Sequence, residues 1–436
     1  MLRRLPEAAP DAMPPPDARA DPRPAWGLLV LLTGLNVLNF VDRTLIASLA
    51  PLLIADLGLT REQIGLLAGF AFVLLYSVFG LLLGLAADRW PRLPLIAGGL
   101  ALWSAMTAVS GWARGFLSLA LPRLFVGIGE ATLTPAALSL LGDGFPRRRL
   151  GLASGIYYAG IPLGTAASLI AAGFVAPRWG WRACFWLLGG LGLVALALFG
   201  FLREPVRRAE DPAAGPRPGL GDLAREVGVA LRRRPALALV LGGGVMLVWG
   251  SASAIHTVTW LVEERGFEFS RAAYLSGLIA VGAGLLGNLA AGAFTDALAR
   301  RHPQGRPWSL AAMALFFAPA GAAFYLLPPG SPLFYASWFL ASAGTTAWFG
   351  PLFALVQELA PERIRSTTIA FGLLALNVLG VGPGSWLAGR LGDRLDLTTG
   401  LLLGLAVATA SAAPFALAAR QLARESRGGV LASDRF

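Results

Sequence analysis

The 436-residue chain has no lysine, one cysteine and two histidines, and only 14% of its residues are charged. Each shortage excludes something. The lone Cys184 has no internal disulfide partner and falls in an apolar run, where it reads as a small packed hydrophobe rather than a redox group. Without lysine there is no Walker-type phosphate loop, so Gly242-Gly-Gly244 and Gly127-Ile-Gly129 read as close-packing glycines, and ATP-driven work is disfavoured. No group of His, Cys and carboxylates has metal-ligand spacing and no Gly-x-Ser-x-Gly nucleophile pattern occurs, so neither metal, cofactor nor enzyme activity is expected. Soluble domains carry nearer a quarter of charged residues, and a chain that is 56% hydrophobic reads as a polytopic membrane protein.

The net charge of +11 comes wholly from arginine. Those arginines fall in short loops between apolar runs, which is a topology signal, and no basic domain is large enough to grip nucleic acid. Runs near 20 residues, enough to span about 30 Å of hydrocarbon, occur at about 26–54, 64–87, 93–112, 116–142, 150–175, 181–202, 236–261, 272–298, 308–327, 332–359, 366–390 and 397–419. The expected fold is therefore an all-α integral membrane protein of twelve helices. Two six-helix bundles, 26–202 and 236–419, are joined by a polar linker at 203–235 with Arg232-Arg233-Arg234. Residues 1–25, rich in Pro, Asp and Arg, lack the apolar core of a signal peptide and read as a flexible tail, as do 420–436. With both termini cytoplasmic, 26 arginines lie in tails and inward loops against 8 outside, leaving Arg43 and Arg123 within spans; the opposite orientation inverts that ratio.

Charged residues inside the runs carry the most information. Asn36-Val-Leu-Asn39-Phe-Val-Asp42-Arg43 sets an acid beside a base in mid-run, and Arg123-Leu-Phe-Val-Gly127-Ile-Gly129-Glu130 supplies a second acid and base in the fourth run. A charge at the bilayer centre costs about 2.5–3.5 kcal/mol on insertion scales, so such side chains face a protein interior or a water-filled cavity. At 3.6 residues per turn, Asn36, Asn39 and Arg43 share one helix face, as do Arg123, Gly127, Glu130 and Thr134. Counted from the outer ends of their runs, about 12 residues for Asp42 and 14 for Glu130, the two acids sit at depths agreeing within about 3 Å. The pattern predicts one site, with the stripe on the first run facing a central cavity.

The halves repeat. Gly84-Leu-Ala-Ala-Asp88-Arg89-Trp-Pro-Arg92 closes the second run, and Gly292-Ala-Phe-Thr-Asp296-Ala-Leu-Ala-Arg300-Arg301 closes the eighth. Asp143-Gly-Phe-Pro146 follows the fourth run as Glu358-Leu-Ala-Pro361 follows the tenth. Parallel six-span repeats around a midplane site are the architecture of a rocking secondary transporter. The matched Gly, Asp and Arg positions (Gly84, Asp88, Arg89, Arg92, Asp296, Arg300, Arg301) predict a conformational latch at helix ends. In the second half, Trp249, Ser253, His256 and Trp260 fall on one face of the seventh run, and Trp338, Ser342, Thr345 and Phe349 on one face of the tenth. Such stripes suit the wall of a cavity for an amphipathic ligand. A lone histidine such as His256 can also titrate near neutral pH.

The duplicated loop motif and six-plus-six layout resemble the major facilitator superfamily. Asn36-x-x-Asn39-Phe-x-Asp42-Arg43, Gly84 to Arg92, Arg123 to Glu130, Gly142-Asp143-x-Phe145 and Ala159-Gly-Ile-Pro162-Leu-Gly164 together resemble its spinster branch, the lysolipid and sphingolipid transporters and their bacterial relatives. Phe40 stands where many relatives carry tyrosine, and Pro91 where asparagine or glycine is common. The resemblance implies that Asp42 and Glu130 couple protons while Arg43 and Arg123 bind a headgroup. It implies a proton-coupled, alternating-access carrier of a lysophospholipid or sphingoid-phosphate-like amphiphile. The expected setting is a bacterial inner membrane, with protons, lipids and the amphiphile as partners and the protein as a monomer. An exporter of drugs or small polar metabolites is the alternative within this class; a passive lipid channel or scramblase, or a membrane enzyme, is the alternative outside it.

Overall fold

The computed structural model describes residues 25–199, 204 and 219–427, and these form helices and short connections. The expected leading tail up to residue 24, the linker at 205–218 and the chain end at 428–436 lie outside the described residues. Among the described residues, twelve helices are long and apolar enough to cross a membrane. Spans 1 to 6 are Trp26–Leu57, Arg61–Gly80, Arg92–Ser110, Phe116–Gly144, Arg149–Trp179 and Trp181–Phe199. Spans 7 to 12 are Pro235–Glu263, Phe269–Arg301, Gly305–Leu326, Pro332–Leu359, Thr367–Arg394 and Leu397–Ser426. The linker contributes a further amphipathic helix, Leu220–Arg233, where the sequence suggests only a polar connection.

Local chemistry sets the boundaries. Span 1 closes on Gly58 at φ 62°, a left-handed conformation that glycine adopts without strain. Two residues later Thr60 and Gln63 cap each other to start span 2. Glu268, Ser331 and Asp396 cap spans 8, 10 and 12 with their side-chain oxygens. An even number of crossings puts both chain ends on one face, here the terminus side; the opposite face is the distal side. Consistent with this, the Ala25 N–H bonds to the Gly144 carbonyl at 3.2 Å, joining the start of span 1 to the end of span 4.

Each half has two main apolar cores, one towards each face, separated in the first half by a charged layer. In the first half, Leu28, Leu32, Trp103, Phe145 and Tyr157 belong to the terminus-side core and Leu45, Leu49, Trp181 and Phe185 to the distal one. The second half repeats this with Leu237, Val356 and Phe415 at one end and Trp260, Phe324 and Trp338 at the other. Span 4 turns briefly at Ala131–Thr132 and span 10 at Ala347–Trp348, equivalent places in the two halves. Span 3 meets span 4 through facing glycines: a Cβ on Gly129 would lie 2.7 Å from the Gly99 carbonyl oxygen, so only glycine permits this approach.

The halves meet along spans 2 and 11 and along spans 5 and 8. A Cβ on Gly65 would strike the Ser385 backbone, and Ser385 Oγ donates to the Gly65 carbonyl at 3.0 Å. Spans 2 and 11 each contain a widened π-type turn beside this contact, Leu66–Phe70 and Leu376–Val381. Such turns mark helices that can shift register. Among the described residues, hydrogen bonds between the halves run from Ser77–Asn377 outward to the distal face.

Candidate functional site: a buried charge node

Adjacent residues on a helix point about 100° apart, so Asp42 and Arg43 of span 1 serve two different partners. Asp42 is 1% exposed and faces spans 3 and 4. Its Oδ1 accepts from Arg123 Nη1 at 2.6 Å and its Oδ2 from Thr107 Oγ1 at 2.6 Å, while Arg123 Nη2 also reaches the Asp42 carbonyl at 3.2 Å. Arg43 turns the other way and donates from Nε to Glu130 Oε2 at 2.8 Å. Glu130 is fully buried, whereas Arg43 retains 20% side-chain exposure. Asp42 and Glu130 balance Arg43 and Arg123, so the node is neutral when all four are charged, which is what lets it sit between two apolar cores.

Aromatic rings surround the exposed base. The Arg43 guanidinium lies 3.9 Å from the centre of the Tyr76 ring and about 5 Å from those of Phe40 and Phe72 (5.0 and 5.1 Å). Stacking of this kind suits a planar guanidinium and not an ammonium. Three buried polar atoms of the layer, Asn39 Nδ2, Arg123 Nε and Glu130 Oε1, have no protein hydrogen-bond partner. Unsatisfied buried groups are costly and mark a place for water, a proton or a ligand.

Asp42, Arg43, Arg123 and Glu130 are thus brought together as the spacing predicts. Asn36 differs. It is 1% exposed and donates from Nδ2 to the Tyr157 carbonyl at 2.8 Å, tying span 1 to span 5 rather than facing an open cavity. Asn39 is buried beside the node at 2% exposure.

The second-half stripes keep their common faces only in part: Trp338, Ser342 and Thr345 lie in one unbroken helix, Pro332–Thr346, and Phe349 follows the turn. Span 7 tightens into a 3₁₀ turn at Ala254–His256, so residues on either side lose their common 3.6-residue period. Trp249 donates to the Leu379 carbonyl in the wide turn of span 11 at 2.8 Å. Ser253 is buried and bonds back to the Gly250 carbonyl, facing Gly404 of span 12. His256 is fully buried, its Nε2 donating to the Ser385 carbonyl at 2.9 Å and its Nδ1 unpartnered. Trp260 sits in the distal aromatic core against Phe324 and Tyr325 and donates to Thr398 Oγ1. On span 10, Thr345 lines a cavity of about 70 Å³ inside the second half, and Phe349, past the turn, is 48% exposed.

At the helix ends where the sequence predicts a latch, ion pairs form with a different membership. Arg92 is buried and pairs with Asp143, with Ser139 Oγ at 3.0 Å and with Glu204 Oε1 at 2.8 Å. Partial burial alone would push the Glu204 carboxyl up, but the Arg92 guanidinium and the backbone N–H groups of Arg92 and Leu93 hold it below the usual carboxylate range. In the second half the base is Arg306, not Arg300 or Arg301. It contacts Glu358 at 3.1 Å and Asp296 at 3.9 Å, so Arg306 with Glu358 repeats Arg92 with Asp143. The surroundings of Gly84 and the side chains of Asp88 and Arg89 lie outside what the structure describes.

A second polar assembly, on the distal side, joins the halves and has no forerunner in the motif reading. Asp393 accepts from the Arg61 and Glu62 backbone N–H groups at 2.9 and 2.8 Å, capping span 2 from the other half. Arg61 donates to Glu263 Oε2 at 2.8 and 2.6 Å and to the Gly392 carbonyl at 2.9 Å. Glu62 accepts from Trp386 Nε1 at 2.7 Å and Arg390 Nη1 at 3.3 Å. The Thr60 to Gln63 capping pattern is the one signal that marks this corner in the sequence.

Known proteins place the arrangement. The Major Facilitator Superfamily profile matches residues 32–381. The chain is 32% identical to an MFS-type efflux pump of Mycolicibacterium smegmatis, over 86% of each chain. It is 29% identical to protein spinster homolog 1 of Homo sapiens, covering 84% of this chain and 73% of that one. In fold it matches the crystal structure of a bacterial homolog of the human lysosomal transporter Spinster, in an inward-facing, unoccupied conformation, with a TM-score of 0.80 at 23% identity over 92% and 98% of the two chains. These are transporters and not enzymes. The chain belongs to the Major Facilitator Superfamily, in its spinster branch.

Proposed function

We propose that this transporter is a proton-coupled secondary carrier working by alternating access, with a single-chain anionic or zwitterionic amphiphile such as a lysophospholipid or sphingoid phosphate as cargo. The observation that carries the reading is the sharing of Arg43. It is held by the fully buried Glu130 on one side and reaches the open side of the layer on the other. A phosphate-bearing headgroup entering there competes with Glu130 for the guanidinium. Once Arg43 turns to the headgroup, the Glu130 carboxylate is a buried charge without its partner, and taking a proton is the cheapest relief. Substrate occupancy and protonation are then linked, and the linkage is reciprocal. Asp42 and Arg123, wholly enclosed, hold the frame against which Arg43 moves, and the Asp42 carboxylate is a second site for proton exchange, with Arg123 as its fixed counter-charge.

In this reading the protein lies in a bacterial inner membrane as a monomer with both termini cytoplasmic, supported by the arginine asymmetry of 26 against 8. The joined distal side is then the outward face. Drug export is the second reading, favoured by the Mycolicibacterium efflux-pump relative. A thermal-shift panel of 18:1 lysophosphatidylcholine, sphingosine phosphate, sugars, amino acids and cationic drugs separates them. The expected result is stabilisation by the lysolipids; stabilisation by cationic drugs or a polar solute alone overturns the cargo assignment. Accumulation against a gradient in proteoliposomes separates coupled transport from passive scrambling.

A further inference from the structure

Two neighbouring side chains of span 2 serve opposite halves of the protein. The Tyr76 ring lies against the Arg43 guanidinium at 3.9 Å. Ser77, next to it, accepts a hydrogen bond at 3.2 Å from Asn377 Nδ2, inside the wide turn of span 11. We propose that Tyr76 is a positioning residue: its π face keeps Arg43 on Glu130, and its place on span 2 ties that grip to the joint between the halves. The inference rests on the proton-coupled reading and adds to it the element that transmits the motion.

The ring is set by backbone and not by a mobile side chain. Phe72 and Tyr76 stack on each other at 5.7 Å and 14°. Span 2 is seated directly on span 4, where a Cβ on Gly127 would meet the Phe72 carbonyl oxygen at 3.1 Å and the Tyr76 nitrogen at 3.5 Å. Gly127 is one turn from Glu130, so the ring and the acid bracket Arg43 from two packed helices. The wide turn at Leu66–Phe70 sits just before Phe72 and gives span 2 a place to shift.

The charged and titratable groups around Glu130 are Asp42 and Arg43 from span 1, Arg123 from its own span, Tyr76 from span 2, and Tyr157 and Tyr158 of span 5 beyond Tyr76. Among these described residues, Tyr76 is the one whose chain neighbour bonds to the second half. When the halves part at the level of Asn377, span 2 moves relative to span 1 and the ring slides off the guanidinium. Arg43 is then free to leave Glu130 for a headgroup.

The test follows the distance between spin labels on the terminus-side ends of spans 4 and 10 as a function of pH, in the full chain without substrate. Wild type, Glu130→Gln, Tyr76→Phe, Tyr76→Leu and Asn377→Ala are compared, with thermal unfolding as the folding control. Tyr76→Phe keeps the π face and loses the hydroxyl, which also interacts with Arg43, so it is expected to stay closer to the wild-type midpoint than Tyr76→Leu. Tyr76→Leu removes it and is expected to shift the midpoint by about one pH unit, roughly tenfold in proton affinity. Asn377→Ala keeps the ring but loosens its tether and is expected to shift the midpoint the same way by a smaller amount. It carries the test if Tyr76→Leu does not fold. A response lost in Glu130→Gln yet unchanged in Tyr76→Leu, or in Asn377→Ala where that variant stands in, overturns this inference alone. A response that survives Glu130→Gln overturns the coupling reading and this inference with it.

Discussion

Asp42 and Arg123 are the more enclosed of the two ion pairs, at 1% and 2% side-chain exposure. Removing one partner leaves the other as an uncompensated buried charge. Asp42→Asn is therefore expected to cost about 3–5 kcal/mol, read as a lowered unfolding temperature in detergent. The double variant Asp42→Asn/Arg123→Leu removes both charges and is expected to regain most of that stability while remaining inactive in transport. A double variant no more stable than the single one would argue against a charge-pair origin. All four node residues are legible in the sequence because charge is so rare within the spans that any instance requires a partner. Asn36 is less so. Its acceptor, the Tyr157 carbonyl, lies where span 5 turns at Ala159, near Pro162, which lacks an N–H and disrupts the helix one turn earlier. Periodicity gives the face of Asn36 but not the irregular backbone that meets it.

Regular helices were easy to read and their interruptions were not. The 3₁₀ turn in span 7 and the short turn in span 10 redirect Trp260, His256 and Phe349, although each stretch is apolar enough to look continuous. The distal clamp is not legible in the sequence for another reason: Arg61, Glu62, Glu263 and Asp393 lie at helix ends, where charge is ordinary, and their meaning is set only by the packing of spans 2, 7 and 11. Exposed pairs of this kind contribute about 0.2–1 kcal/mol each. Glu263→Gln with Asp393→Asn removes two such pairs and is thus expected to raise distal opening by roughly 2- to 30-fold, measured as labelling of a cysteine placed below the clamp. Unchanged labelling would mean that the glycine contacts at Ser385 alone hold this side closed. At the opposite end, the lowered carboxyl of Glu204 gives the latch a pH dependence of known sign. Its contribution is fully present above the ordinary glutamate value of 4.5 and is lost as pH falls through the lowered one. Glu204→Gln should flatten the acid limb of the stability profile, and an unaltered limb would remove Glu204 from the latch.

The two halves share an architecture and divide its chemistry unequally. The first half fills the space between spans 1, 3 and 4 with Asp42, Thr107 and Arg123, while the equivalent space in the second half, between spans 7, 9, 10 and 12, is a cavity of about 70 Å³ walled by residues such as Leu247, Phe317 and Leu405. The repeat itself was readable, since Asp143-Gly-Phe-Pro146 and Glu358-Leu-Ala-Pro361 mark equivalent ends of spans 4 and 10. Arg306 as the partner of Glu358 is not, because span 8 continues as helix to Arg301 and the partner base falls at the start of span 9, past the arginines that the motif emphasises. Charge in one half and apolar walls in the other fit the proposed rocking carrier, in which proton coupling would reside in the first half. The most direct measurement is lysolipid uptake into proteoliposomes under an imposed pH gradient, comparing wild type with Glu130→Gln at matched folding and reconstitution. Uptake that responds to the gradient in wild type and loses that response in Glu130→Gln is the predicted result; gradient dependence undiminished in Glu130→Gln would contradict it.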